Sequence, residues 1–338
     1  MDLLEKLTNI FGVSGNEENI REMIKDEIKN YVDEVSVDKL GNLIARKKGE
    51  APKVMLAAHM DEIGLVIKSI ERGGKIYCSP VGGIEAITLL GERVHIETKK
   101  GIIHGIITTR EISDGIYTTK LPKMENLIVD TGLSKRGLKR MDVEVGTYLS
   151  LEQEPCFLGS ENIICGKALD NRIGCYVLIE LAKRLKKIKN EIYYVFTVQE
   201  EMGLFGAITS AYIVEPEWAL AVDVSETCDS TGEITKTIGK GPCLTIKDAD
   251  MIANKCLNDW IRNIAKKKKI PLQLDVSDLG TTDAVSISIS RGGVPSSVVS
   301  VPVRNLHTAT AVAHKKDIEN TIKLLEELLK NPPLVCLR

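Results

Sequence analysis

The chain has 338 residues, enough for a large core and for two domains. Its 45 basic and 47 acidic residues leave a net charge of -2, which argues against a general nucleic-acid or membrane-surface binder. No stretch is long and apolar enough to span a membrane, and the N-terminal segment reads as an acid-containing amphipathic helix, so the expected location is the cytoplasm.

Leu3, Leu4, Leu7 and Ile10 form one helical stripe. Ser14 and Glu17 have capping-box spacing for a second helix, about Glu17 to Tyr31. Strands are expected at Glu34 to Asp38, Asn42 to Arg46 and Lys53 to Ala58, the last ending in His59-Met60-Asp61-Glu62. From Leu65 to about Gly159, short β-like runs alternate with Gly-rich turns such as Gly73-Gly74 and Gly82-Gly83. That change of texture predicts an all-β domain over 65–159, inserted into an α/β domain made of 1–64 and 160–338.

The α/β rhythm resumes at Ile163 to Lys167, followed by Asp170 and a helix to about Lys186. Ile192 to Val198 is a continuous apolar run, as expected of a strand buried on both faces. It stops at Gln199, and Glu200 and Glu201 follow. Trp218 to Val224 is another buried strand carrying Asp223, and Cys228 to Pro242 reads as a loop near the site. A helix over Ile252 to Lys268, a strand at Leu272 to Asp275, a polar turn at Gly280 to Asp283 and a strand over Ser296 to Val301 come next. His307 follows that strand, and a helix from Lys315 to Lys330 closes the domain. The eight cysteines are scattered without a CxxC pair and are expected to be reduced small hydrophobes.

Acids and histidines therefore gather at strand ends: His59 with Asp61, Asp170, Glu200 with Glu201, Asp223, and His307. Each alone has an ordinary structural reading, as a cap, a dipole partner or a hydrogen-bonded strand terminus. Together they match a two-metal hydrolase site built from carboxylates and imidazoles.

The segments HMDEIGLVI (59–67), GKALDNRIGC (166–175), TVQEEMGLFGA (197–207), AVDV (221–224) and TTDA (281–284), with VPVRNLH (301–307), resemble the M42 metallopeptidases, the tetrahedral or TET-type aminopeptidases that include glutamyl and deblocking enzymes. The resemblance runs over essentially the whole chain, including ProValGlyGly (80–83) in the β-rich insert. It implies an α/β/α sandwich of zinc-peptidase type with a mixed central sheet and the inserted β domain as a dimerisation unit. It also implies two divalent ions per chain, zinc or cobalt, with manganese compatible with the same donors. His59, Asp170 and Asp223 would hold one ion, and Asp170, Glu201 and His307 the other, with Asp170 as the bridge. Glu200 would be the general base and Asp61 the group that orients His59. Dimers would assemble into a tetrahedral dodecamer, and peptides would be the substrates.

Asn171, Thr281 and Thr308-Ala309 depart from the family pattern without removing a ligand. The leading expectation is thus a dinuclear metallo-aminopeptidase. A related metal-dependent deacylase or carboxypeptidase and a catalytically silent assembly protein remain as alternatives. A glucanase is disfavoured, because adjacent Glu200 and Glu201 on an extended segment project oppositely, whereas glycosidase carboxylates face each other.

Overall fold

The computed structural model describes residues 2–116, 120–186, 188–227, 229, 236–330 and 332. Its strands, in chain order, are β1 (Glu34–Val37), β2 (Leu43–Lys47), β3 (Glu50–His59), β4 (Gly64–Ile70), β5 (Ile76–Val81), β6 (Arg93–Thr98), β7 (Gly101–Thr109), β8 (Leu127–Asp130) and β9 (Tyr148–Leu151). They continue with β10 (Cys156–Phe157), β11 (Ile163–Gly166), β12 (Asn190–Thr197), β13 (Trp218–Glu226), β14 (Cys243–Lys247), β15 (Gln273–Val276), β16 (Ser296–Arg304) and β17 (Ala311–His314). One mixed sheet runs β1-β2-β12-β3-β13-β16-β17-β11-β10, with β14 paired to β16 and β15 paired to β14. The strands β4-β5-β8-β7-β6-β9 close into a separate barrel.

Burial on both faces explains the apolar runs of the central strands. Along β3, Val54, Leu56 and Ala58 pack into the larger core, while Met55 and Ala57 turn to the opposite face. The helices Glu18–Ile28, Leu169–Arg184, Lys255–Lys268 and Lys315–Lys330 supply the larger core. The helix Phe205–Val214 and the short helix Asp283–Ser288 cover the other face, through residues such as Ala207, Ala211 and Ile287. The result is the expected α/β/α layering. In the barrel, β7 alternates strictly: Ile103 and Ile107 point inward, while Ile102 and Ile106 stay exposed.

Several local expectations need correction. Ser14 and Glu17 do not form a capping box. The helix starts after Glu17 without a side-chain cap, Ser14 Oγ donates to Asp61 instead, and Glu17 accepts from the backbone N–H groups of Gly15 and Gln199. Tertiary partners outcompete the local cap. Cys256 is disulfide-bonded, so the cysteines are not uniformly reduced. The sequence reading also misses β14 and β17, whose four or five residues carry too little periodicity to stand out. Part of the predicted 228–242 loop, residues 228 and 230–235, lies outside the described residues, as does Cys336.

Asn42 connects the first strands to the chain beyond β12. Its Oδ1 accepts from Val198 N–H at 3.0 Å, and its Nδ2 donates to Gly206 O at 2.9 Å, Thr209 Oγ1 at 2.8 Å and Asp38 Oδ2 at 2.6 Å. A Cβ on Gly206 would sit 2.4 Å from both Asn42 Oδ1 and Val198 O, so only glycine fits this close approach. Removing the amide strands buried backbone groups, each costing about 1–3 kcal/mol. Asn42→Ala is therefore expected to lower stability by about 3 kcal/mol, read as a lower denaturant midpoint at unchanged slope.

Candidate metal centre

β3, β12, β13 and β16 run parallel, and β11 joins them in direction through antiparallel β17. Their carboxyl ends form one rim, where open α/β sheets place their sites. β3 ends on His59, β12 leads into Glu200 and Glu201, β13 carries Asp223, β16 is followed by His307, and β11 leads into Asp170. The loops bend sharply there. Ala168, Gln199 and His307 adopt left-handed backbone conformations with φ of 52°, 53° and 56°. For residues other than glycine this costs about 1–2 kcal/mol each, so the surrounding packing must hold them.

The side chains meet in one cluster. His59 Nε2 lies 3.0 Å from Asp170 Oδ1, 3.7 Å from Asp223 Oδ1 and 3.9 Å from Glu200 Oε2. His307 Nε2 lies 3.3 Å from Asp170 Oδ2 and 3.5 Å from Glu201 Oε2. The two oxygens of Asp170 thus face different histidines. Two trios, His59 with Glu200 and Asp223, and His59 with Asp170 and Glu201, each bring their donor atoms within 4.8 Å of one another.

Both imidazoles have their other nitrogen occupied. His59 Nδ1 faces Asp61, 3.2 Å from its carbonyl and 3.5 Å from Oδ1. His307 Nδ1 is 2.9 Å from the carbonyl of Gly83, on the loop that follows β5 of the barrel. An Nδ1–H donated to these oxygens leaves each Nε2 lone pair aimed at the carboxylates. Asp61 does more than orient the ring. It accepts from Ser14 Oγ at 2.5 Å, from Glu200 N–H at 3.1 Å and from Glu201 N–H at 3.3 Å, so one carboxylate fixes the histidine and the backbone of both glutamates.

The electrostatics are dominated by buried negative charge. Burial raises the pKa of Glu200 well above the usual carboxylate range, against the pull of His59. Burial, reinforced by Asp170, lifts Glu201 to about 8, and burial lifts Asp223 to about 7. Asp170 differs: burial opposes its charge, but His307 and His59 outweigh that and hold it below the ordinary range. Burial likewise disfavours charged His307, yet Asp170 and Glu201 outweigh it and raise the ring to about 9.

This donor set fits divalent cations. Among the described residues, the ion pairs of Asp170, Glu200, Glu201 and Asp223 are all with the two histidines, and no Lys or Arg pairs with them. Glu201 Oε1 is buried without a hydrogen-bond partner. Oxygen and imidazole donors concentrated in this way, short of positive charge, are what zinc, cobalt or manganese sites require.

The three departures have structural accounts of unequal depth. Asn171 Nδ2 donates to Val222 O at 2.9 Å and its Oδ1 accepts from Gly174 N–H at 2.9 Å, a pairing that an ionised acid could not make with the carbonyl. It caps the helix and ties Asp170 to the strand of Asp223. Ala309 packs into the barrel core, and Thr308 Oγ1 donates to Asn305 O at 2.7 Å, steadying the His307 turn. Thr281 Oγ1 is buried and unpaired, and nothing in the structure explains it.

Sequence reasoning assigned no site role to four contributors. Ser14 and Glu17 have the spacing of a helix cap. Gly83 belonged to a noted ProValGlyGly turn, yet nothing in that turn shows that its carbonyl reaches a histidine. Asp283 lies in what the sequence shows as a polar turn, but it is buried, accepts from Thr197 Oγ1 at 2.5 Å, and leaves Oδ1 unpaired. Its pKa is raised to about 6 by burial, against its hydrogen bond from Thr197.

Loss of the Asp61 carboxylate should free the His59 ring and the Glu200–Glu201 backbone together. Asp61→Ala is expected to weaken divalent-ion affinity by about 10–100-fold, read by competition with a chromophoric chelator. Ser14→Ala should have a smaller effect in the same direction.

Comparison with known proteins accords with this geometry. The M42 glutamyl aminopeptidase family model matches residues 41–324. A lysyl aminopeptidase of Pyrococcus furiosus is 38% identical over 341 residues, covering 97% of this chain and 96% of that protein. Among solved structures, an aminopeptidase from the archaeon Desulfurococcus kamchatkensis has a TM-score of 0.95 and 35% identity, covering 100% of this chain and 96% of that one. The TET1 peptidase of Pyrococcus horikoshii, described as assembling into a tetrahedron or a large octahedral shell, has a TM-score of 0.88 and 34% identity, covering 98% and 99%.

Proposed function

The chain belongs to the M42 family of glutamyl aminopeptidases and is a peptide hydrolase acting at free N-termini; from that premise we propose that it works with two divalent ions held across Asp170. The observation that carries this reading is Asp170 itself, with Oδ1 3.0 Å from His59 Nε2 and Oδ2 3.3 Å from His307 Nε2. One carboxylate is thereby shared between two half-sites. His59 and Asp223 complete one half, and Glu201 and His307 the other. When bound, the ions supply Lewis acidity, taking up the free α-amine, polarising the scissile carbonyl and acidifying a water. Zinc or cobalt is the proposed pair, with manganese compatible.

The residues of the chain do the rest. Glu200 is the proposed general base, because its carboxylate lies beside His59, Oε2 3.9 Å from Nε2, without hydrogen-bonding it and is not needed to complete either half-site. A carboxyl group in that environment accepts a proton from the attacking water and returns it to the leaving amine. Asp61 holds Glu200 and Glu201 in place through their backbone N–H groups. Gly83 keeps the His307 ring turned toward Asp170.

The test separates binding from chemistry. Glu200→Gln is expected to bind divalent ions as the unaltered protein does and to lose about 10²–10⁴-fold in hydrolysis rate. Free-amine peptides should release residues sequentially from the N-terminus, and N-acetylated copies should not. Release of the acetyl group would instead favour a deacylase, and undiminished hydrolysis by Glu200→Gln would remove Glu200 from the mechanism.

Assembly is proposed on similar grounds. Ile102, Ile106, Ile112 and Ile116 are all exposed on β7 and the segment that follows it, which would suit an association face. We read residues 65–159 as the dimerisation unit and a tetrahedral dodecamer in the cytoplasm as the assembled form. Native mass measurement should give twelve chains, and Ile102→Glu with Ile106→Glu should reduce that mass while leaving the chain folded.

A further inference from the structure

β10 is the outermost strand of the central sheet, and its register with β11 sets Cys156 directly opposite Cys165. Directly opposed residues of antiparallel strands have Cα atoms about 4.5–5.5 Å apart, inside the range that a disulfide spans. Both thiols are free. Their exposures differ. Cys156 is exposed at the sheet edge, while Cys165 is buried against Ile238 and Val312. β11 then leads through Gly166 and Lys167 to Asp170, so Cys165 sits on the strand that runs to the candidate metal centre.

The geometry points to Cys156 and Cys165 as a redox modification site, where a small disulfide of the glutathione class closes a reversible cross-strand disulfide. The accessible Cys156 thiolate attacks one sulfur of the small disulfide, and the other sulfur leaves as a thiol after taking up a proton. Cys165 then loses its proton, and its sulfur attacks the Cys156 sulfur and expels the second small thiol. Two protein thiols are oxidised to one disulfide, and one small disulfide is reduced to two thiols. Burial pushes the Cys165 thiol up to about 11, which makes the closing step the slower of the two.

Tryptic cleavage leaves both cysteines in one peptide, residues 141–167, and Glu161 lies between them. Full-length protein is reduced, freed of reductant, incubated with oxidised glutathione, then alkylated and digested. The expected peptide is lighter by two hydrogens and unalkylated, and after further cleavage at Glu161 its halves separate only on reduction. A glutathione adduct that remains on Cys156, or two alkylated cysteines, would overturn the proposal. In Cys156→Ser protein, Cys165 should remain alkylatable, and direct glutathionylation of Cys165 there would overturn the order of attack.

Discussion

Buried negative charge is the constraint on which this structure turns. Asp170, Glu200, Glu201 and Asp223 converge at one sheet rim, with two imidazoles as their only ion-pair partners among the described residues. Like charges that close, away from water, are strongly unfavourable unless protons or cations compensate. Asp223 and Glu201, raised to about 7 and 8, express that cost. Burial is the main cause of the raised proton affinity of Glu200, against the pull of His59, and the neighbouring acids add to it.

Holding such a cluster together demands rigid supports, and the fold supplies them at two levels. Parallel strands place these acids and histidines at one rim, each contributing one or two groups from a different part of the chain. Asp61, Asn42 and Asn171 then tie the loops beyond the strands through hydrogen bonds to backbone groups. Ala168, Gln199, Leu204, Asn305 and His307 hold left-handed conformations in these loops, and the dense bonding is what keeps them there.

The barrel is also part of the site. Its Gly83 carbonyl receives the His307 ring, and Ala309, two residues beyond that histidine, packs into the barrel core. Below the site, Lys167 Nζ donates to Glu62 Oε2 at 2.7 Å and to Ser150 Oγ at 3.1 Å, joining β9 of the barrel to the segments after β3 and β11. Ser150 of the barrel also donates to Glu62 Oε1 at 3.2 Å, so its hydroxyl bonds both members of that buried pair and ties the barrel to the sheet. A movement of the barrel would therefore be felt at His307.

The sequence alone determined the layers and which acids and histidines lie at the strand ends. Continuous apolar runs at 54–58 and 192–198 required strands buried on both faces, and the acids and histidines directly after such runs had to lie near one rim. Those are local signals, set by side-chain periodicity and strand direction. It could not determine the partners from distant segments that hold Asp61 and His307 in place. Ser14 reaches Asp61 across 47 residues, and Gly83 reaches His307 across 224. A Ser–Glu spacing that reads as a helix cap was claimed by partners from elsewhere in the chain, because a buried carboxylate with unmet hydrogen bonds outcompetes a local cap. Contacts between distant segments leave no periodic trace in sequence, so only the tertiary structure decided them.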